Sequence, residues 1–264
     1  MTVDLGSEMA PDANKSFASA RFRLLDWMAC GPGLESREDW TAWLHGEKPR
    51  NDDAARVAVS LPTMLRRRIS MIGQMAFRAS YALSENQSAR FIFCSRHGEF
   101  QRTLNILQSL AAQEPVSPAE FSLSVHNALA GLLSIAWKNT AGHTTISAGA
   151  DSFGSAMLDA IACLKSTPAE PVMPVMVVYF DDLLPEPYDA LGDPDETCLA
   201  LAMLLGAPRS DREDLTISFA ARDPGTTSHS ASSQALDFVR FILSGDSETT
   251  SIGERLQWRW QRGA

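Results

Sequence analysis

Residues 121 to 163, FSLSVHNALAGLLSIAWKNTAGHTTISAGADSFGSAMLDAIAC, decide how this chain is read. The spacing predicts an apolar helix over Ser124 to Trp137, a glycine-containing turn, a short buried strand over Thr144 to Ala148, a tight bend, and a second helix from Ser152. A strand that turns sharply into a helix leaves the bend residues at a helix N-terminus, where free backbone N–H groups and the helix dipole favour a nucleophile's anion or an oxyanion. The residues at that bend therefore decide whether the chain can do chemistry.

Working outward, the 264 residues, 45% hydrophobic and 21% charged, suit one large globular domain with a well-filled core. A net charge of −9 argues against binding a phosphate backbone, so nucleic acid is not an expected partner. The opening MTVDLGSEMAPDANKS is acidic and polar, unlike a secretory signal, and residues 1–18 read as a loose tail before a single domain over 19–264. The longest apolar run, Val172 to Phe180, contains Pro174 and is far short of the roughly 20 residues that span a bilayer. A cytoplasmic protein is expected. Cys30, Cys94, Cys163 and Cys198 show neither CxxC nor metal-ligand spacing, so they read as buried free thiols, with no metal or cofactor expected. Cys94 with His97 is the one cysteine nucleophile to consider, and no third, orienting group is readable beside them.

Along the chain, strands are expected at Arg21 to Trp27, Ala89 to Cys94, Val172 to Phe180 and Leu215 to Ala221, with a further apolar segment at Thr197 to Leu205. Helices are expected at Ser36 to Leu44, Pro62 to Leu83, Phe100 to Ala112 and Gln234 to Leu243. The tail LQWRWQR alternates like an edge strand protected by arginines. Strands alternating with helices indicate a three-layer α/β domain whose sheet is mainly parallel, with a late antiparallel addition.

At the bend, Ala150 to Gly154 reads A-D-S-F-G, close to the G-x-S-x-G nucleophile elbow of α/β-hydrolases. On that reading Ser152 is the nucleophile, His229 the base, and Asp181, Asp189 or Asp193 the acid. Asp151 and Ser152 are equally the residue types that cap a helix N-terminus with no catalytic role.

The same stretch resembles the N-terminal half of β-ketoacyl synthases, the condensing enzymes of the thiolase fold. Their helix carries N-x-x-A-G, matched by Asn127, Ala130 and Gly131, followed by a strand ending in A-C-[ST]-[SA]-G, whose Cys accepts the acyl group. Laid over that pattern without gaps, the Cys falls on Ala150, with Asp151 and Ser152 beside it. Trp27, Pro32, Gly33, Ser36, Trp40 and Trp43, the run Leu61 to Ser70, and Tyr179, Asp181, Asp182, Pro185 and Pro187 narrow the resemblance to chain length factors of aryl-polyene-type biosynthesis. Past about Leu205 nothing carries it.

The resemblance implies a single thiolase-like α/β/α domain with a mainly parallel five-stranded sheet. It implies no catalysis, because the thiol is missing and the chain is too short to include the family's second half, which supplies two histidines. His126 and His143 belong to the first-half pattern and read as structural or interface histidines. The implied partner is an active β-ketoacyl synthase, in a heterodimer or a dimer of heterodimers, with acyl carrier protein engaged only indirectly. Asn127, Leu129, Leu132, Leu133, Trp137, Thr145 and Ile146 are then the candidate interface and tunnel residues, although an apolar helix face packed on its own sheet would look the same.

Overall fold

The fold is taken from a computed structural model that describes residues 17–48, 68–83, 85, 88–166, 173–192, 195–209, 214–223 and 232–263. Strands are β1 (Ala18–Cys30), β2 (Arg90–Cys94), β3 (His143–Ile146), β4 (Val175–Asp181), β5 (Leu199–Gly206), β6 (Leu215–Ala221), β7 (Glu248–Ile252) and β8 (Leu256–Arg262). Helices are α1 (Arg37–Leu44), α2 (Met71–Tyr81), α3 (Phe100–Ala111), α4 (Pro118–Leu123), α5 (Ala128–Trp137), α6 (Ser152–Ser166) and α7 (Gln234–Ser244).

All eight strands form one sheet in the order β3-β2-β4-β5-β1-β6-β8-β7. The sheet is mixed rather than mainly parallel, and has eight strands where five are expected. Only β3–β2 and β2–β4 are parallel; the other five neighbouring pairs are antiparallel. Crossovers through α3 to α5 and through α6 permit the parallel pairs, as such pairs require. Between β4 and β5 the described chain has only the 3-10 turn Asp189–Leu191, so β5 returns antiparallel.

Alternation along the buried strands builds a core on each face. In β4, Val175, Val177 and Tyr179 join a core with α6, α7 and Trp40 of α1, whereas Met176, Val178 and Phe180 join α2 and α5 on the opposite face. Both faces are covered there, which is why β4 and β5 read as unbroken apolar runs. The long central helix expected from Ser124 is instead two. Ser117 caps α4, with Pro118 in its first turn; the chain then turns over residues 124–127 before α5 begins at Ala128. The segment LQWRWQR is β8, and it lies inside the sheet between β6 and β7, so its arginines do not protect an edge. The helix expected from Pro62 is seen from Met71, capped by Ser70; residues 62–67, like the tail 1–16, lie outside the described residues. Among the described residues no helix is long and apolar enough to cross a membrane.

Candidate functional site

β3 ends at Ile146, Gly149 turns the chain with φ +60°, and α6 starts at Ser152. The strand–bend–helix expected there is present, but β3 spans His143–Ile146 and is half-buried at the sheet edge rather than buried. The Asp151 N–H donates to the Ala148 carbonyl (3.1 Å) and the Ser152 N–H to the Gly149 carbonyl (3.2 Å), closing the bend on itself. The Ser152 hydroxyl is consumed locally: it donates to the Gly149 carbonyl at 2.7 Å, accepts from the Ala148 N–H at 2.9 Å, and is buried. Asp151 is 2% exposed; its carboxylate accepts from the Trp258 indole N–H at 2.7 Å and the Arg255 backbone N–H at 2.9 Å. The Gly154 N–H, in the first turn of α6, donates to the Gln234 side-chain oxygen at 3.0 Å. At this helix N-terminus the Gly154 N–H is taken up by Gln234, while the side chains of Asp151 and Ser152 turn to the hairpin and back to the bend, so neither accepts an N–H of α6 as a capping residue would.

The described residues do not assemble a hydrolase triad. Asp181 is spent on the loop after β2, accepting the backbone N–H groups of Arg96 (2.6 Å), His97 (2.7 Å) and Gly98 (2.7 Å). Burial nevertheless holds its carboxyl above the usual range, with those donors pulling the other way. Asp189 lies on an exposed turn, and His229 and Asp193 fall outside the described residues. Cys94 is fully buried at the end of β2; burial, and secondarily the Asp181 charge, push its thiol well up, the opposite of a reactive cysteine. His97 instead faces Glu196, with 3.4 Å between Nε2 and the carboxylate. Among the described residues no group of three His, Cys, Asp or Glu side chains could hold a metal ion.

The other predicted site residues divide by burial. Leu129, Leu132, Leu133 and Trp137 all lie in the core between α5, α2 and the sheet, with the Trp137 ring edge-on to Tyr81 (5.2 Å) and Phe91 (5.5 Å). Of these, Leu129 also lines a cavity with His97, Glu99, Thr103, Val125 and His126. Asn127 is exposed at the start of α5 and makes no capping bond. Thr145 and Ile146 belong to the edge strand β3; the Thr145 hydroxyl has no hydrogen-bond partner among the described residues, and Ile146 packs against the α6-side core. His126 bridges to the Ile146 carbonyl (3.0 Å) and His143 to the Ser134 hydroxyl (3.4 Å). Two features escaped the sequence reading. The β7–β8 hairpin reaches Asp151, and Phe121, Val125 and Ile135 leave large apolar surface exposed on α4, the turn after it, and α5. The alternating tryptophans of LQWRWQR were the available signal for the first.

Residues 40–261 match the family described as Beta-ketoacyl synthase, N-terminal domain. This chain belongs to that family. As a β-ketoacyl synthase N-terminal-domain protein it has the thiolase-like fold expected of it. Among solved structures it is similar to a chain from the ketosynthase ApeO in complex with its chain length factor ApeC from Xenorhabdus doucetiae, at 29% identity and TM-score 0.80, covering 92% of this chain and 100% of that one. It also shares its fold with a chain from a type II PKS acyl-carrier protein complex with its ketosynthase bound to the hexaketide (12% identity, TM-score 0.67, 91% and 99% covered). A third similar fold is the ishigamide ketosynthase/chain length factor (14% identity, TM-score 0.52, 72% and 59% covered). No curated protein matches this chain.

Proposed function

We propose that this chain is a non-catalytic chain length factor that pairs with an active β-ketoacyl synthase in type II, aryl-polyene-type biosynthesis, completes its dimer face and limits acyl chain length. The observation that carries the reading is the bend itself. Where the family pattern places an acyl-accepting thiol stands Ala150, and the neighbouring Asp151 and Ser152 are committed to hydrogen bonds within the chain. A decarboxylating condensation needs a nucleophile and donors aimed at the developing enolate, and this bend offers neither. Similarity at 29% identity to a chain of a ketosynthase–chain length factor complex supports the pairing.

The partner face follows from exposure. β3 is the sheet edge, α5 packs on β3, and α4 packs on α5. Ile135, 70% exposed, and Phe121, 63% exposed, stand on these helices with Val125 between them. Large apolar residues exposed on the elements that pack at a strand edge are what an obligate interface buries. Leu132, Leu133 and Trp137 serve this chain's own core, so Phe121, Val125 and Ile135 make first contact with the partner; the cavity that Leu129 lines together with Val125 supports Leu129 as the residue that limits chain length.

The experiment is gentle purification of the tagged chain from its native host. A ketosynthase recovered at one-to-one is the expected result. A lone chain hydrolysing simple esters in a Ser152-dependent way would overturn the proposal.

A further inference from the structure

The β7–β8 hairpin is far from the bend in sequence and in direct contact with it in space. Asp151 and Trp258 are 107 positions apart, yet their side chains meet at 2.7 Å, and the Arg255 N–H between the two strands takes the second carboxylate oxygen. Two glycines make room for this approach. A Cβ added at Gly253 would lie 1.8 Å from the Asp151 carboxylate, and one at Gly154 would lie 2.6 Å from the Trp258 ring, distances that no real side chain tolerates. Next to Trp258, the Trp260 ring packs on Phe153 at 5.5 Å. The two tryptophans of β8 thus cover the first turn of α6.

We propose that Asp151 is the latch of an internal cover: the β7–β8 hairpin lies over the bend, and α6 and the hairpin open as one unit. The proposal rests on the family assignment and not on pairing with a ketosynthase, so it is tested on the full chain alone. Three features suit a latch. The carboxylate sits at the N-terminal end of α6, both of its oxygens are used, and it is buried, so losing one acceptor leaves a buried N–H unpaired. Local opening free energies are read out by amide exchange in cooperative segments.

The experiment is hydrogen exchange by mass spectrometry on the full chain and on Asp151→Asn and Trp258→Phe. Both variants are expected to speed exchange of residues 152–158 and 248–262 together by about tenfold or more while β2 and β4 keep their protection. Trp258→Phe keeps an aromatic ring while removing the indole N–H and part of the ring's buried packing, so it carries the test if Asp151→Asn does not fold. Unchanged exchange, acceleration of the hairpin without α6, or uniform acceleration that includes β2 and β4 would each overturn the latch.

Discussion

At the bend, the charge of Asp151 matters more to any chemistry there than which side chain stands at position 150. Placing a thiol there by Ala150→Cys would set it next to a buried carboxylate at the helix end that otherwise lowers a cysteine's pKa. We expect that thiol to titrate above the ordinary value of about 8.5 and the variant chain to catalyse no condensation. The pH profile of its alkylation by iodoacetamide checks this, and an inflection below about pH 7 would show that the dipole still governs the site. Asp181 gives a second test with a definite sign. Burial raises its folded carboxyl above the ordinary 3.8, despite three backbone donors. A group with a raised folded pKa binds protons more readily in the folded chain, so its ionisation costs stability, and that cost is relieved as pH falls through the raised value towards 3.8. Asp181→Asn does not titrate. The variant should be less stable than the parent at pH 7, by roughly 1.5–3 kcal/mol for lost charge-assisted bonds, and its deficit should widen on mild acidification; urea melts of both chains across that range measure it.

Within single elements, neighbouring residues have opposite duties. In α5, Leu133 is fully buried against α2 and the sheet while Ile135, two positions on, points into solvent. Leu133→Ala should cost about 2–5 kcal/mol, as a cavity in a packed core does, whereas Ile135→Ala should stay within about 0.5 kcal/mol in the isolated chain; urea unfolding separates the two. Such duties were partly legible in the sequence. β2 and β4 were readable from apolar runs, β6 from its alternation and α6 from its helical period. β7 was not, because ETTSI has a single apolar residue and pairs only because β8 presents it an edge. The bend was legible from its glycine and its Asp-Ser pair, but the hairpin that locks it depends on a contact between residues 107 apart, which no local pattern encodes. Apolar residues of α5 could be listed from composition; which of them face outward depended on where the turn over residues 124–127 reset the helix phase.

Across the whole molecule the described strands leave two sheet edges, β3 and β7, and they differ. At β7 the edge residues Glu248 and Thr250 are exposed and polar, as in strands that avoid pairing. The β3 edge is covered by α5 and, through it, α4, the helices that with their connecting turn expose Phe121, Val125 and Ile135, so the proposed pairing is expected at that end. A partner that binds only the folded chain stabilises it by mass action, about 2.7 kcal/mol when present at a hundred times Kd. The chain mixed with excess ketosynthase should therefore melt at a higher temperature than either protein's own transition would give, and the gain should grow with partner concentration. Replacing both Phe121 and Ile135 by Asp puts two charges on the apolar face without touching either core, so the variant alone should keep its melting temperature while the gain disappears. If the double variant still gains stability from the ketosynthase, the partner sits elsewhere, and the polar β7 end becomes the face to test next. If the parent chain gains nothing at any concentration, pairing fails while the fold and its latch stand, because the contact of Asp151 with Trp258 lies wholly within the chain.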